Sequence, residues 1–188
     1  NYTLKVKANG FVPNETSVAA IGNQVIGKEI TLMKFVGYEA EIGYDDGTFE
    51  NGVVLTDSGD GAAVKITPSG YGRVNAANIF FYPDEWPYPG GDEIGIAIFD
   101  TNDSGKVGNM VGEPKIVMIN RGEWNLIDLS QYEFITDRDF FIATVQTKID
   151  ELSPGVGIDK YCREPRRSYL HIGGGFIPIG NPDIDLKG

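Results

Sequence analysis

The feature that most constrains the fold is the regular spacing of short β-type runs along the chain. From residue 37 onward, runs rich in β-branched and aromatic residues alternate with clusters of Gly, Pro, Asn and Asp at intervals of about 8–12 residues. No stretch shows the sustained periodicity of an amphipathic helix. The pattern predicts an all-β chain, folded as an antiparallel β-sandwich, and the length favours a jelly-roll-like sandwich over a seven-stranded immunoglobulin domain.

Two of the predicted strands should lie at the centre of a sheet. Ile94–Phe99 and Phe140–Val145 are the most apolar runs, and an edge strand with so much β-branched and aromatic surface would promote aggregation. The predicted strands are Gly52–Thr56, Ala62–Thr67, Arg73–Tyr82, Glu93–Asp100, Lys115–Asn120, Glu123–Leu129, Phe134–Gln146, Gly155–Lys160 and Ser168–Ile172.

The first 36 residues form a smaller strand-rich segment. Thr3–Ala8 alternates polar and apolar residues, Asn9-Gly10 is a turn pair, and Thr16–Ile21 and Lys28–Phe35 repeat the strand signal. Three strands are barely enough for independent stability. We therefore divide the chain into residues 1–36 and 37–188, and expect the first segment to pack on the second or to be the remnant of a truncated domain.

An acidic turn opens the larger segment. Asp45, Asp46 and Glu50 lie within six residues, around the turn pair Asp46-Gly47. Such crowding is unfavourable unless the carboxylates point into water, accept bonds from backbone N–H groups or share a cation. The stretch is either a solvated turn or a calcium site with these three carboxylates as ligands.

A Pro-rich loop offers a second candidate site. Tyr82, Trp86 and Tyr88 are interleaved with prolines, and rings held in this way present flat faces to a sugar or peptide at low entropic cost. The alternative is that these rings cap the sandwich core. Trp124 alternates with Leu126 and is predicted to be a core residue.

Composition excludes several classes of function. The net charge of −11 argues against a nucleic-acid partner, which needs a basic surface. No apolar run is long enough to insert into a membrane. A hydrolase needs a base beside its nucleophile, but the one histidine, His171, alternates with apolar residues and is predicted to be a structural residue of a strand. We therefore expect no catalytic site.

Several motifs of the larger segment resemble, in the same order, a region beyond the catalytic domain of bacillopeptidase F-like secreted subtilisin-like serine proteases. They are Tyr44–Asn51, Trp86–Glu93, Gly122–Ser130, Asp139–Phe141 and Ser153–Gly155. The resemblance implies a secreted, extracellular bacterial protein in which this chain is an accessory module attached to a catalytic domain. The family's protease triad lies elsewhere in its longer chain, and nothing here matches it.

The N-terminal segment Tyr2–Phe11 is similar to the C-terminal half of a prealbumin-like (carboxypeptidase regulatory-like) domain. In this family such a domain precedes the region that the larger segment resembles. The resemblance also implies one further strand beyond Gly188. We expect Tyr2–Ala8 to fill the resulting gap in the large sandwich, from the same chain or from a second copy in a strand-exchanged homodimer.

The sequence thus predicts a non-catalytic module that serves for scaffolding or for engaging a protein substrate or cell surface. The alternative function is that of an independent carbohydrate-binding jelly roll, an inference that rests on fold analogy. Calcium is the cofactor that the acidic turn suggests.

Overall fold

The computed structural model describes residues 2–8, 11–19, 22, 25–34, 41–83, 85–149, 152–159 and 167–179. This part of the chain is all-β, and a short 3-10 turn lies at Ser130–Tyr132. Within the described residues, no helix is long and apolar enough to cross a membrane.

The strands are β1 (Tyr2–Val6), β2 (Asn14–Val18), β3 (Asn51–Val53), β4 (Gly61–Ile66), β5 (Gly72–Arg73), β6 (Ala76–Phe80), β7 (Glu93–Thr101), β8 (Val107–Met110), β9 (Lys115–Met118), β10 (Trp124–Asp128), β11 (Ile135–Thr136), β12 (Phe140–Val145), β13 (Val156–Ile158), β14 (Ser168–Ile172) and β15 (Gly175–Pro178).

A large antiparallel sheet forms one layer. Its strand order is β15-β14-β4-β12-β7-β8, and β9 also pairs with β7. The two most apolar strands, β7 and β12, are neighbours in the middle, with Ile98 opposite Ile142. The prediction that they are central is confirmed, because each has a partner strand on both sides.

Shorter strand pairs form the opposing layer. β6 pairs with β10, β3 with β13 and β5 with β11, and a bridge between Phe81 and Val156 links the first two pairs. The main core lies between this layer and the large sheet. Its fully or almost fully buried residues are Ala77, Phe81, Ile94, Ile96, Ile98, Ile119, Ile127, Leu129 and Phe140. The predicted all-β sandwich is confirmed, whereas the jelly-roll and prealbumin-like assignments stay predictions.

A second apolar cluster covers the other face of the large sheet. Ala63, Ala97, Phe99, Phe141 and Ala143 form it, and the β14–β15 hairpin curls over it. Gly173 and Gly174 make the hairpin turn with positive φ values of 55° and 79°, a conformation that glycine adopts without steric cost.

Some strand predictions were wrong in extent. Residues 28–34 of the predicted strand Lys28–Phe35 form no strand, and only Lys34 bridges to Phe11. The predicted strand Arg73–Tyr82 is divided, because β5 and β6 pair with different strands. Phe134–Gln146 is divided into β11 and β12 for the same reason. The predicted Asn9-Gly10 turn lies outside the described residues.

The N-terminal hairpin does not complete the large sandwich. β1 pairs with β2 in register from Tyr2 opposite Val18 to Val6 opposite Asn14. Among the described strands it pairs with no other, so the expected completion within one chain is wrong. An exposed ion pair, Lys7 to Glu133 at 3.5 Å, joins the hairpin to the rest. The strand-exchanged homodimer and the division at residue 36 stay predictions.

Candidate functional site

The acidic turn holds its own shape through side chain to backbone hydrogen bonds. The Gly47 N–H donates to Asp45 Oδ1 at 3.0 Å, and Gly47 has a φ of 87°. The Thr48 N–H donates to Asp46 Oδ1 at 3.0 Å. Asp45 therefore acts as the cap of the turn, as short acidic side chains commonly do.

A carboxylate from a distant part of the chain joins this turn. Asp159 follows β13, which pairs with β3 just after the turn, and its Oδ2 accepts the Asp46 N–H at 3.1 Å. One carboxylate oxygen from each of Asp46, Glu50 and Asp159 lies within 4.8 Å of the others. The structure thus groups two of the three predicted metal ligands and places Asp159, rather than Asp45, beside them.

The chemistry of this group suits a hard cation. All its ligand atoms are oxygens, and Thr48 Oγ1 lies among them, 2.5 Å from Asp46 Oδ1 and 2.9 Å from Glu50 Oε1. Calcium prefers such oxygen ligands and completes its shell with carbonyls and water. Because Asp46 and Glu50 are exposed, the group would hold a partly hydrated ion.

A chain of aromatic rings runs from the acidic turn in both directions. Phe49 stacks on Phe80 with ring centroids 4.0 Å apart, and Phe80 meets Trp124 edge-on at 5.7 Å. On the other side Phe49 contacts Tyr82 at 5.4 Å, and Tyr82 contacts Trp86 at 5.5 Å. These contacts connect the acidic turn to the Pro-rich loop.

The three predicted stacking residues of the Pro-rich loop have different environments. The Trp86 ring lies over Gly52 and Gly155, where a Cβ would come within 2.7 Å of it, and it is 37% exposed. Tyr82 is half-buried between Phe49 and Trp86. Tyr88 is 77% exposed, so it offers the most accessible ring. Ligand binding by these residues stays a prediction.

Arg121 holds the Pro-rich loop in place. Its Nη2 donates to the carbonyls of Pro83 and Pro87, each at 2.9 Å. Nη1 and Nε make longer bonds, both 3.4 Å, to the carbonyls of Pro89 and Tyr82. Proline has no N–H of its own to donate, so this guanidinium supplies the donors that organise the loop. The sequence gives no signal for this role, since Arg121 is distant from the loop along the chain.

A cleft of about 920 Å³ opens beside the acidic turn. Residues of the turn and of β4, β6, β10, β12 and β13 line it, among them Phe49, Val64 and Trp124. Trp124 is 41% exposed, so its prediction as a core residue is wrong. The alternation with Leu126 was correct, but both side chains lie on the face of β10 opposite to Ile127, which is the buried one.

One comparison with known proteins decides the relationship. The chain is 36% identical over 187 residues to bacillopeptidase F from Bacillus subtilis (strain 168). This chain is similar to one region of bacillopeptidase F. The match covers 97% of this chain and 13% of bacillopeptidase F, so it spans a small part of that longer protein. No family model and no solved structure matches the chain.

The match to bacillopeptidase F confirms the resemblance inferred from the motifs. It includes nearly the whole chain, and so takes in the acidic turn and the Pro-rich loop together. The candidate sites thus lie within a region that corresponds to part of a larger protease.

Proposed function

We propose that this chain is a non-catalytic accessory module of a secreted subtilisin-like serine protease, and that it serves for scaffolding or for engaging substrate or cell surface. The observation that carries the proposal is the extent of the match, which covers nearly all of this chain but only 13% of bacillopeptidase F. A match of this extent is consistent with a segment that lies outside the catalytic part of the longer protein.

The surroundings of the one histidine support a non-catalytic role. His171 is a strand residue of β14 and only 8% exposed. Its ring packs against Phe99 and Phe176. A general base must reach the proton of its nucleophile by a hydrogen bond, and an imidazole enclosed by two phenyl rings is poorly placed to do so.

Active-site labelling tests the non-catalytic role. The chain should take up no fluorophosphonate and turn over no peptide, because the imidazole of its one histidine, His171, is packed between Phe99 and Phe176 and is poorly placed to activate a nucleophile. A catalytically competent subtilisin-like protease treated in parallel is the positive control. Stoichiometric labelling of one serine or threonine, together with peptide turnover, would overturn the proposal.

Calcium binding at Asp46, Glu50 and Asp159 is a second part of the proposal. It is supported by the approach of three carboxylates from two segments and by the hydroxyl of Thr48 between two of them. An ion there would offset the repulsion among the three negative charges. It would also fix the start of the larger segment to the end of β13.

Glycan binding through the Pro-rich loop is the rival proposal, and the exposed ring of Tyr88 favours it. Aromatic rings stack on sugars through their apolar faces. Retention of the chain on an immobilised glycan, lost in Tyr88→Ala and kept in Tyr2→Ala, would favour a carbohydrate-binding module. No retention on a panel of plant and bacterial polysaccharides would leave the accessory role.

A further inference from the structure

The β14–β15 hairpin, which we call the cover hairpin (residues 168–179), is the edge of the large sheet; β14 pairs with β4, and the hairpin curls over an apolar face of the same sheet. Phe176 packs against Phe99 and Phe141, with ring centroids 5.0 and 5.3 Å apart, and Tyr169 packs against Phe141 at 5.2 Å. Beneath it, Phe99 is 9% exposed and Phe141 2% exposed. Movement of the hairpin away from the sheet would expose this face.

His171 lies at the centre of this contact. It is the cross-strand neighbour of Phe176, and its ring centroid is 4.9 Å from Phe176 and 5.4 Å from Phe99. Its Nδ1 is buried and has no hydrogen-bond partner within the described residues. A buried polar atom without a partner is uncommon in native structures and calls for a functional or structural reason.

Asp60 is the charged group that acts on this ring. It is itself 7% exposed, and it precedes Gly61, the residue opposite His171 on β4. One of its oxygens accepts the Gly173 N–H at 2.8 Å, which ties the turn of the cover hairpin to β4. The other neighbours of the ring in the described residues, Phe99 on β7 and Phe176 on β15, are uncharged.

These surroundings favour a neutral imidazole while the hairpin is closed. Burial lowers the pKa of His171 below its usual value of 6.5, and the negative charge of Asp60 opposes this shift only in part. Burying an imidazolium between two phenyl rings would require it to lose its hydration.

We propose that the cover hairpin is a pH-dependent cover, which loosens from the sheet when His171 takes up a proton and so exposes the apolar face around Phe99 and Phe141. In the open hairpin the imidazole is hydrated and binds a proton near pH 6.5, whereas in the closed hairpin it binds one only at lower pH. The closed form is thus fully favoured above about pH 6.5 and loses stability as the pH falls below that value.

Amide hydrogen exchange of the whole chain tests the cover. Between about pH 7.5 and about pH 5, after correction for intrinsic exchange, peptides from residues 168–179 should lose protection, because His171 binds a proton less readily in the closed hairpin than in the open one. Peptides from β7 and β12 serve as the internal control and should keep theirs. Equal protection of the hairpin at both pH values, or increased protection at the lower one, would overturn the proposal.

Two variants separate titration of His171 from general acid sensitivity. His171→Phe keeps an aromatic ring without a titrating nitrogen, so its hairpin should stay protected at both pH values. Asp60→Asn keeps the oxygen that accepts the Gly173 N–H but removes the compensating charge, so its hairpin should be less protected at about pH 5 than that of the unaltered chain. An acid-induced loss in His171→Phe equal to that of the unaltered chain, or no added loss in Asp60→Asn, would refute the role of His171.

Discussion

At the scale of single residues, one guanidinium sets the shape of the Pro-rich loop. Arg121 donates to four carbonyls of that loop. The loop in turn places Trp86 over Gly52 and Gly155, where no side chain would fit. The position of the candidate stacking rings therefore depends on a residue outside the loop itself.

Removing this guanidinium should destabilise the fold. We predict that Arg121→Met lowers the free energy of unfolding by about 2–3 kcal/mol, because it leaves half-buried carbonyls without a charged donor. Arg138→Met is the matched control, since the Arg138 side chain makes, among the described residues, only an exposed ion pair with Asp103, and its loss should cost less than about 1 kcal/mol. Urea denaturation measures both. Equal stability of the two variants would contradict this account of Arg121.

Sequence patterns located some site residues but not their neighbours. The crowding of Asp45, Asp46 and Glu50 correctly marked the acidic turn, yet Asp159 joins it only because β13 pairs with β3. Periodicity likewise placed Trp124 and Leu126 on one face of a strand. Periodicity does not show which of the two faces of β10 becomes buried, since packing between distant segments of the chain decides which face is covered.

At the scale of strands, the most apolar runs were predicted well, whereas the strands β8 and β15 were missed. β7 and β12 carry strong β-type composition and were found as central strands. β8 includes Gly108 and Asn109, and β15 starts at Gly175 and ends at Pro178. Residues of these types have low β propensity and weaken the strand signal in the sequence. These two strands therefore depend on backbone pairing with a neighbouring strand, β8 with β7 and β15 with β14.

The link between the acidic turn and β13 leads to a prediction about calcium. An ion bound only by the folded chain should stabilise it by about 2.7 kcal/mol at a hundredfold excess over its dissociation constant. The melting temperature should therefore rise with calcium and fall with a chelator. Asp159→Asn should remove this response, whereas Asp57→Asn, an exposed aspartate outside the group, should retain it.

Scanning calorimetry in calcium and in chelator provides the measurement for this prediction. Magnesium at the same concentration controls for ionic strength, since it retains its own water more tightly than calcium. Superimposable melting curves in calcium and chelator would leave the acidic stretch as a self-capped turn.

At the scale of the whole molecule, the proposed function is that of a β-sandwich which supports a larger enzyme without taking part in its chemistry. The net charge of −11 makes the chain acidic as a whole, so a partner surface would be neutral or basic. The region of bacillopeptidase F that matches this chain is 13% of that longer protein. The fold class and this relationship followed from the sequence, whereas the cleft, the aromatic chain and the cover hairpin required the structure.

The most direct test of the accessory role is the kinetics of bacillopeptidase F with the matched region present or deleted, at equal concentrations of titrated active sites. If the region is an accessory module, its deletion should leave kcat/KM for a short peptide substrate unchanged, because no catalytic group is lost. Deletion should lower kcat/KM for a large or surface-bound protein substrate, because an engagement site is lost. A fall in the short-peptide kcat/KM as large as that for the protein substrate, or no fall for either, would contradict the account.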